Sequence, residues 1–231
     1  MEWALMFSQF YTHLHDTGIR FYLSYTRGQP WDVARNSILN DALKLKTTWV
    51  FFLDSDVLVP IDVYHRLSAH NLPIVSGLYY RRHKPLTAAM WQMSPHQETC
   101  PTCQQPYKPV GKYNPIISYP RSQLIPCDVI GMGACLIHRR VIEKCHSPQD
   151  PMFIWTAGRE AQLKEEILKQ IPWQKGTSED FYACERIKRM GFPIFTDTSV
   201  ICPHTGEIKF VPPEMTEIDD VRFGGFQFPT V

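Results

Sequence analysis

The sequence contains no apolar run that approaches the roughly 18 residues needed to span a bilayer. Its first stretch has an acidic residue at position 2 and no small-residue cleavage site, unlike a secretory leader. The charges nearly cancel, with 24 Lys and Arg against 23 Asp and Glu, a net charge of +1. This balance argues against nucleic acid or an anionic membrane as partner. We therefore expect a cytoplasmic protein with no transmembrane segment and no nucleic-acid partner.

Cysteine is present in an odd number, seven, and several of these residues lie in apolar stretches. This pattern favours buried thiols in a reducing compartment over a disulfide framework. One CxxC motif, Cys100 to Cys103, follows His96, but structural zinc usually takes four ligands. Cys127 or His83 could complete such a site by folding back. A zinc site and a reduced loop both stay open for Cys100 and Cys103.

The length of 231 residues and the hydrophobic content of 44% describe one globular domain, or at most two small ones. Helical spacing of apolar residues predicts helices near 2–14, 61–69, 161–171 and 180–190, and another that starts near Asp32 as its N-cap. Short apolar runs predict strands at 19–25, 49–53, 74–80, 87–91, 129–137, 194 and 200–202. This alternation predicts an α/β fold with a mostly parallel sheet flanked by helices, in which the run 49–53 forms a central strand.

Proline divides the chain into regions of different character. The stretch 95–126 is rich in proline and predicts an irregular insertion over one side of the domain. Residues 210–231 are rich in Pro, Gly and Phe, which is typical of an arm or lid. We therefore assign residues 1–209 to a single domain, with the insertion on its acceptor side and 210–231 as a C-terminal arm.

Two aspartates, Asp54 and Asp56, directly follow the apolar run 49–53. Open α/β sheets bind their ligands at the carboxyl ends of the strands, so carboxylates there are placed for chemistry. Their oxygens suit Mg²⁺ or Mn²⁺, which keep coordination positions open for a diphosphate. The alternative is a pair of solvated turn residues, with Asp56 capping the next helix.

Three further features carry polar side chains at the ends of predicted elements. Glu179 and Asp180 open a helix, where acidic residues also favour the helix macrodipole without any catalytic role. His204 follows the last strand and is either a metal ligand or an ordinary surface residue. The basic, aromatic stretch 79–84 either holds a phosphate of the donor or an anionic acceptor, or forms a solvated face.

Taken in order along the chain, these motifs resemble the GT-A class of nucleotide-sugar-dependent glycosyltransferases, family 2 in particular. The matching stretches are 34–36 with its Arg-Asn pair, 50–56 with Asp-x-Asp, 128–143 with its Gly-Met-Gly break, and 178–204 from Glu-Asp to the terminal His. They span nearly the whole chain. The resemblance implies a GT-A (Rossmann-like) fold and a hexosyltransferase that uses a nucleoside-diphosphate sugar of UDP or GDP type.

On the donor side, the resemblance assigns a role to each matching residue. Asp54 and Asp56 would hold Mn²⁺ or Mg²⁺ on the donor diphosphate, with Asp56 the more direct ligand, and His204 would complete the metal site. Arg35 would meet the nucleotide, and Gly133 of the Gly-rich break would line the donor site.

On the acceptor side, the resemblance to inverting members makes Asp180 the general base, with Glu179 beside it as a second candidate catalytic residue. A carboxylate within hydrogen-bond reach of a hydroxyl accelerates its attack about 10²–10⁴-fold by removing the proton. The acceptor is a carbohydrate, lipid or protein, and a retaining mechanism stays open.

One departure from the family keeps alternatives open. The family has a strand ahead of its first helix, whereas this sequence starts at that helix. The start could lie upstream, the place could be filled differently, or the domain could be an inactive relative that binds nucleotide without turnover. An apolar strand ending in Asp-x-Asp is also typical of haloacid-dehalogenase-like phosphatases, with Asp54 as nucleophile and Asp56 as acid and base.

Overall fold

The computed structural model describes residues 2–82, 86–93, 99, 104, 106, 110, 112–155 and 178–205, in which helices and strands mix in an α/β fold. The helices of this part are α1 (Glu2–Asp16), α2 (Trp31–Leu45), α3 (Val63–Ala69), α4 (Arg139–Cys145) and α5 (Glu179–Arg189). Its strands are β1 (Trp49–Leu53), β2 (Ile74–Leu78), β3 (Met90–Met93), β4 (Tyr113–Pro115), β5 (Leu124–Cys127), β6 (Val129–Ile130), β7 (Ala134–His138) and β8 (Ile194–Ile201).

The main sheet has the strand order β1-β7-β2-β8-β5, and β4-β3-β6 form a smaller sheet. In the main sheet, β1 with β7, β2 with β7 and β5 with β8 pair antiparallel, whereas β2 and β8 pair parallel. The expectation of a mostly parallel sheet was therefore wrong. A parallel sheet needs a crossover connection, usually a helix, between neighbouring strands. Here the chain forms β3 to β6 after β2 and then enters β7 at Ala134, which pairs with Leu53 at the end of β1, so β7 runs antiparallel to β1.

Helices cover both faces of β1. Adjacent side chains of a strand point to opposite faces. Phe51 packs against Phe10 of α1, with ring centroids 5.8 Å apart, whereas Phe52 faces Phe153 at 5.6 Å. Arg35 of α2 lies over the rings of Phe52 and Phe153, so α1 and α2 lie on opposite sides of the strand. This double covering explains an apolar run in β1, although β1 ends the order of the described strands instead of lying centrally as expected.

The strand expected at 19–25 does not form. Ile19 and Phe21 pack against the core, but Tyr22, Leu23 and Tyr25 are exposed, and no strand is assigned there. An apolar run needs a neighbouring strand to pair with, which the pattern of side chains alone does not supply. The expectation for this segment was therefore wrong.

The helices agree better with the sequence pattern. The expected helices at 2–14, 61–69 and 180–190 correspond to α1, α3 and α5, but the N-cap of α2 is Pro30 and not Asp32. The Asp32 carboxylate is buried and accepts a hydrogen bond from the amide of Trp155 at 3.1 Å. Among the helices described, none combines the length and the apolar character needed to cross a membrane. The helix expected at 161–171 and the arm 210–231 lie outside the described residues.

The described part of the insertion 95–126 is more regular than expected, because it contains β4 and begins β5. Pro126 is tolerated in β5, which ends the strand order and so needs fewer backbone donors. An ion pair attaches this region to α5, since Lys112 contacts Glu185 at 2.8 Å, and just beyond the insertion Asp128 contacts Lys188 of the same helix. The many prolines therefore did not prevent strand formation here.

The Gly-rich break expected in the stretch 129–137 is confirmed, since Gly131, Met132 and Gly133 separate β6 from β7. Its glycines leave room for Tyr79. A Cβ on Gly131 would lie 1.9 Å from the Tyr79 hydroxyl oxygen, and that oxygen accepts a hydrogen bond from the Gly133 amide at 3.0 Å. The break thus holds a buried phenol beneath the end of β1.

We expect Gly131→Ala to lower the free energy of unfolding by about 1–3 kcal/mol, because overpacking displaces the Tyr79 ring. In a Tyr79→Phe background the added Cβ meets ring carbon Cζ at 2.9 Å instead of the hydroxyl at 1.9 Å, so the cost should fall. Urea denaturation of both single variants and the double variant measures this coupling. An equal cost of Gly131→Ala in both backgrounds would contradict the account.

Candidate functional site

The turn that follows β1 is fixed through its backbone. The Asp54 amide donates to the Gly133 carbonyl at 2.9 Å, and the Trp3 indole nitrogen donates to the Asp54 carbonyl at 3.0 Å. The start of α1 and the start of β7 therefore hold Asp54 in place. Its carboxylate stays about half exposed.

Arg35 of α2 connects three carboxylates beneath this turn. Its guanidinium lies 3.1 Å from Asp180, 3.5 Å from Asp54 and 3.7 Å from Glu179, and it is buried. Although burial lowers the pKa of Arg35, Asp180, Asp54 and Glu179 together raise it above its ordinary value. The side chain therefore stays charged and serves as the counter-charge of the cluster.

The two acidic residues that open α5 lie at different depths. The Glu179 side chain is 3% exposed and that of Asp180 is 21% exposed. Burial raises the pKa of both carboxyls, and the Asp180 oxygen Oδ2 accepts from the Met132 amide at 3.3 Å. Asp180 is the more exposed of the two, although its oxygen Oδ1 is buried beside Arg35, whereas Glu179 contacts Arg35 from inside.

Asp56 and His204 form a second group beside this cluster. Val57 and His204 form an isolated β-bridge, and the Thr205 amide and hydroxyl donate to the Asp56 carbonyl at 2.6 and 2.9 Å. These contacts attach the chain after β8 to the turn after β1. Asp56 is thus held by a strand bridge and is not the helix cap considered from the sequence, since the N-cap of α3 is Asp62.

The hydrogen bonding of His204 defines which ring nitrogen faces Asp56. Its Nδ1 lies 2.9 Å from the Tyr80 carbonyl, which only accepts, so Nδ1 carries a hydrogen. Its Nε2 then faces the Asp56 oxygen Oδ1 at 3.4 Å. The hydrogen bond with His204 lowers the pKa of Asp56 despite its partial burial. Nε2 and Oδ1 would otherwise be two facing acceptors, so a proton or a cation between them makes this short distance favourable.

This arrangement determines what kind of metal site the residues could form. No group of three His, Cys, Asp or Glu side chains suited to a metal ion occurs within the described ranges. Asp56 and His204 are in contact, whereas Asp54 is turned to Arg35. Mg²⁺ and Mn²⁺ are commonly bound by one or two carboxylates plus substrate phosphates, and a metal-binding His typically donates its other N–H to a carbonyl. The Asp56–His204 pair therefore fits a cation that binds together with a diphosphate.

Gly133 lies beneath Asp54, and its role in the described structure is spatial. A Cβ there would lie 3.1 Å from the Asp54 oxygen Oδ2 and 3.3 Å from the Tyr79 ring. The donor contact expected for Gly133 stays a prediction. Tyr79 was not singled out from the sequence, although the basic, aromatic stretch that starts with it was.

Cys100 and Cys103 lie outside the described residues, so the zinc alternative is not addressed by the structure. The expectation of buried thiols is confirmed for the described cysteines, all of which are free and buried. These are Cys127, Cys135, Cys145, Cys184 and Cys202.

No protein-family model and no curated protein matches this sequence. Twelve chains of solved structures are similar to it, among them the crystal structure of A197 from STIV. That structure is 18% identical, with a TM-score of 0.50, over 86% of this chain and 78% of that chain. At this identity the similarity shows the fold alone, so function has to be argued from the site.

We expect Arg35→Met to reduce stability by about 3–5 kcal/mol near pH 8, because three carboxylates lose their buried cation. The loss should be smaller near pH 5. Since the pKa values of Glu179 and Asp180 are raised on folding, the folded state binds more protons than the unfolded state, and stability falls as pH rises between the ordinary and the raised values. Urea denaturation at both pH values measures this difference.

The control for this prediction is Arg139→Met, which removes the same charge from an i,i+4 pair with Glu143 at 2.6 Å. This pair is partly exposed, so its loss should cost about 1 kcal/mol or less at both pH values. A pH-independent cost for Arg35→Met would contradict the proposed arrangement of charges.

Proposed function

We propose that this protein is a metal-dependent glycosyltransferase of the GT-A type, which moves a sugar from a nucleoside-diphosphate sugar to an acceptor hydroxyl. The observation that carries the proposal is the arrangement of the turn after β1, where Asp56 contacts His204 while Arg35 brings Asp180, a carboxylate of raised pKa, together with Asp54. Transfer from a diphosphate requires these two capacities: a cation for the leaving group and a base for the acceptor.

The donor side of the proposal rests on Asp56 and His204. These two ligands leave most coordination positions of a divalent cation open for diphosphate oxygens, which suits a nucleotide sugar of UDP or GDP type. When bound, Mn²⁺ or Mg²⁺ supplies Lewis-acid stabilisation of the charge that develops on the departing diphosphate. The nucleotide contact that the family resemblance implies for Arg35 is part of the proposal. The contacts of its buried guanidinium with Asp54 and Asp180 also support a role for Arg35 in positioning these two carboxylates.

The acceptor side rests on Asp180. The acceptor oxygen forms a bond to the anomeric carbon while the bond from that carbon to the diphosphate oxygen breaks. The proton of the hydroxyl passes to the Asp180 carboxylate, and the electron pair of the broken bond leaves with the diphosphate. Burial raises the pKa of Asp180, which makes it a stronger base than a solvated aspartate. Attack opposite the leaving group inverts the configuration.

The first test is a thermal-shift panel of UDP, GDP, CDP and ADP, each with Mn²⁺ and again with a chelator. A ligand at about 100 times its Kd stabilises the folded state by about 2.7 kcal/mol, which is a visible shift. We expect one nucleotide to give a shift that requires Mn²⁺. The absence of any such shift would contradict the proposal.

Two variants separate the donor and acceptor functions. We expect Asp56→Asn to weaken Mn²⁺-dependent nucleotide binding at least about tenfold, since it removes one charged ligand. Asp180→Asn should leave that binding nearly unchanged but reduce sugar transfer by about 10²–10⁴-fold, because the proton acceptor is lost. Calorimetric titration and a radiolabelled sugar-transfer assay with mixed acceptors measure the two effects.

Asp62→Asn is the matched control, because Asp62 lies at the start of α3 and pairs only loosely with Arg66 at 3.9 Å. It should change neither binding nor transfer. Normal turnover in Asp180→Asn would remove Asp180 from the role of base. Nucleotide binding without transfer to any acceptor would favour an inactive relative, and hydrolysis of p-nitrophenyl phosphate would favour a phosphatase that uses Asp54.

A further inference from the structure

Arg82 lies at the solvent side of the Asp56–His204 pair. Its Nη2 is 2.8 Å from the Asp56 oxygen Oδ2, and its Nη1 is 3.4 Å from the Thr205 carbonyl. The side chain is 47% exposed, although its guanidinium makes both of these contacts. Both carboxylate oxygens of Asp56 therefore have a partner, Oδ1 at His204 and Oδ2 at Arg82.

This pairing has a consequence for any cation that binds at Asp56. A divalent cation at that carboxylate would lie within a few ångströms of the guanidinium, and two positive charges at such a distance repel each other. This repulsion favours departure of the guanidinium from Asp56 when the cation binds. A half-exposed ion pair is weak enough for this exchange, since such pairs contribute little to stability.

A diphosphate supplies the place to which Arg82 can move. Guanidinium groups bind phosphate oxygens in a bidentate, charge-assisted manner, and a diphosphate held by a cation at Asp56 would be a neighbour of the side chain that now contacts Asp56. With both ligands present, each positive charge faces negative oxygens. With the cation alone, Arg82 would lose its contact with the Asp56 carboxylate and would gain no other anionic partner.

We propose that Arg82 is an exchangeable counter-cation, which neutralises Asp56 in the free protein and binds the diphosphate once a divalent cation takes its place. The inference rests on the proposed function and adds a mechanism of regulation to it: Arg82 disfavours binding of the cation alone and favours binding of the cation together with the diphosphate. By linkage, each ligand strengthens the binding of the other by the same factor.

The neighbouring Arg81 offers a matched comparison. Its guanidinium lies over the Trp91 ring at 5.4 Å, and burial lowers its pKa, whereas Arg82 faces Asp56. Removal of either arginine changes the net charge equally. A difference between the two variants therefore reports position and not total charge.

The experiment compares the wild type with Arg82→Met, Arg82→Lys and Arg81→Met. Free Mn²⁺ is titrated by electron paramagnetic resonance without nucleotide, and the nucleoside diphosphate of the thermal-shift panel is titrated by calorimetry with saturating Mn²⁺. We expect Arg82→Met to bind Mn²⁺ alone about 2- to 5-fold more tightly, since the competing ion pair is gone. The same variant should bind the diphosphate with Mn²⁺ at least about tenfold more weakly.

Arg82→Lys should fall between the wild type and Arg82→Met in both titrations, because it keeps the charge without the bidentate geometry. Arg81→Met should match the wild type in both. Thermal midpoints without ligand verify that every variant is folded. Opposite changes of the two affinities in Arg82→Met support the inference.

Weakening of both affinities in Arg82→Met, or no change in either, overturns the exchange while the wild-type response to Mn²⁺ and nucleotide still supports the proposed function. Equal effects of Arg81→Met and Arg82→Met would mean that the affinities depend only on the net charge, and this outcome would also overturn the exchange. If the wild type binds no nucleoside diphosphate with Mn²⁺, the proposed function and the exchange both fail.

Discussion

The structure of the site depends on one buried cation, the guanidinium of Arg35. A buried charge is costly unless it is paired, and here three carboxylates from two separate stretches of the chain surround it. Without Arg35, Asp54, Glu179 and Asp180 would repel one another at the junction of β1 and α5. The rings of Phe52 and Phe153 enclose the guanidinium and restrict its position. This contact set therefore links the side chains of the turn after β1 to those at the start of α5.

Burial divides the polar side chains of the site into two groups with different tasks. Glu179 and Tyr79 are buried, and burial raises the pKa of both; Glu179 supports Arg35 by pairing with it, and Tyr79 supports the glycine break. Asp56 and Asp180 reach the surface and can meet a ligand. Glu179 and Asp180 differ in depth because successive residues of a helix project about 100° apart. Two adjacent acids in the sequence thus take unlike roles in the proposed reaction.

Much of the site could be predicted from the sequence, because it depends on local patterns. The apolar run before Asp54, the glycine break that includes Gly133 and the acidic start of α5 each identify the end of a strand or helix, and the fold brings these ends together. The direction of β7 and the lack of a strand at 19–25 could not be predicted, because both depend on which distant segment supplies the partner. Nor could the sequence distinguish Arg81 from Arg82, since their difference arises from the contact of one of them with Asp56. The strands β4 and β5 were missed because proline content masks edge strands.

The central claim is that Asp56 and His204 hold a divalent cation jointly with a diphosphate. The most direct measurement is electron-nuclear double resonance of Mn²⁺ bound to the protein with the nucleoside diphosphate. The account predicts phosphorus couplings from the diphosphate together with a nitrogen coupling that disappears in His204→Ala. Mn²⁺ that shows phosphorus couplings but the same nitrogen coupling in both proteins, or none in either, would contradict it.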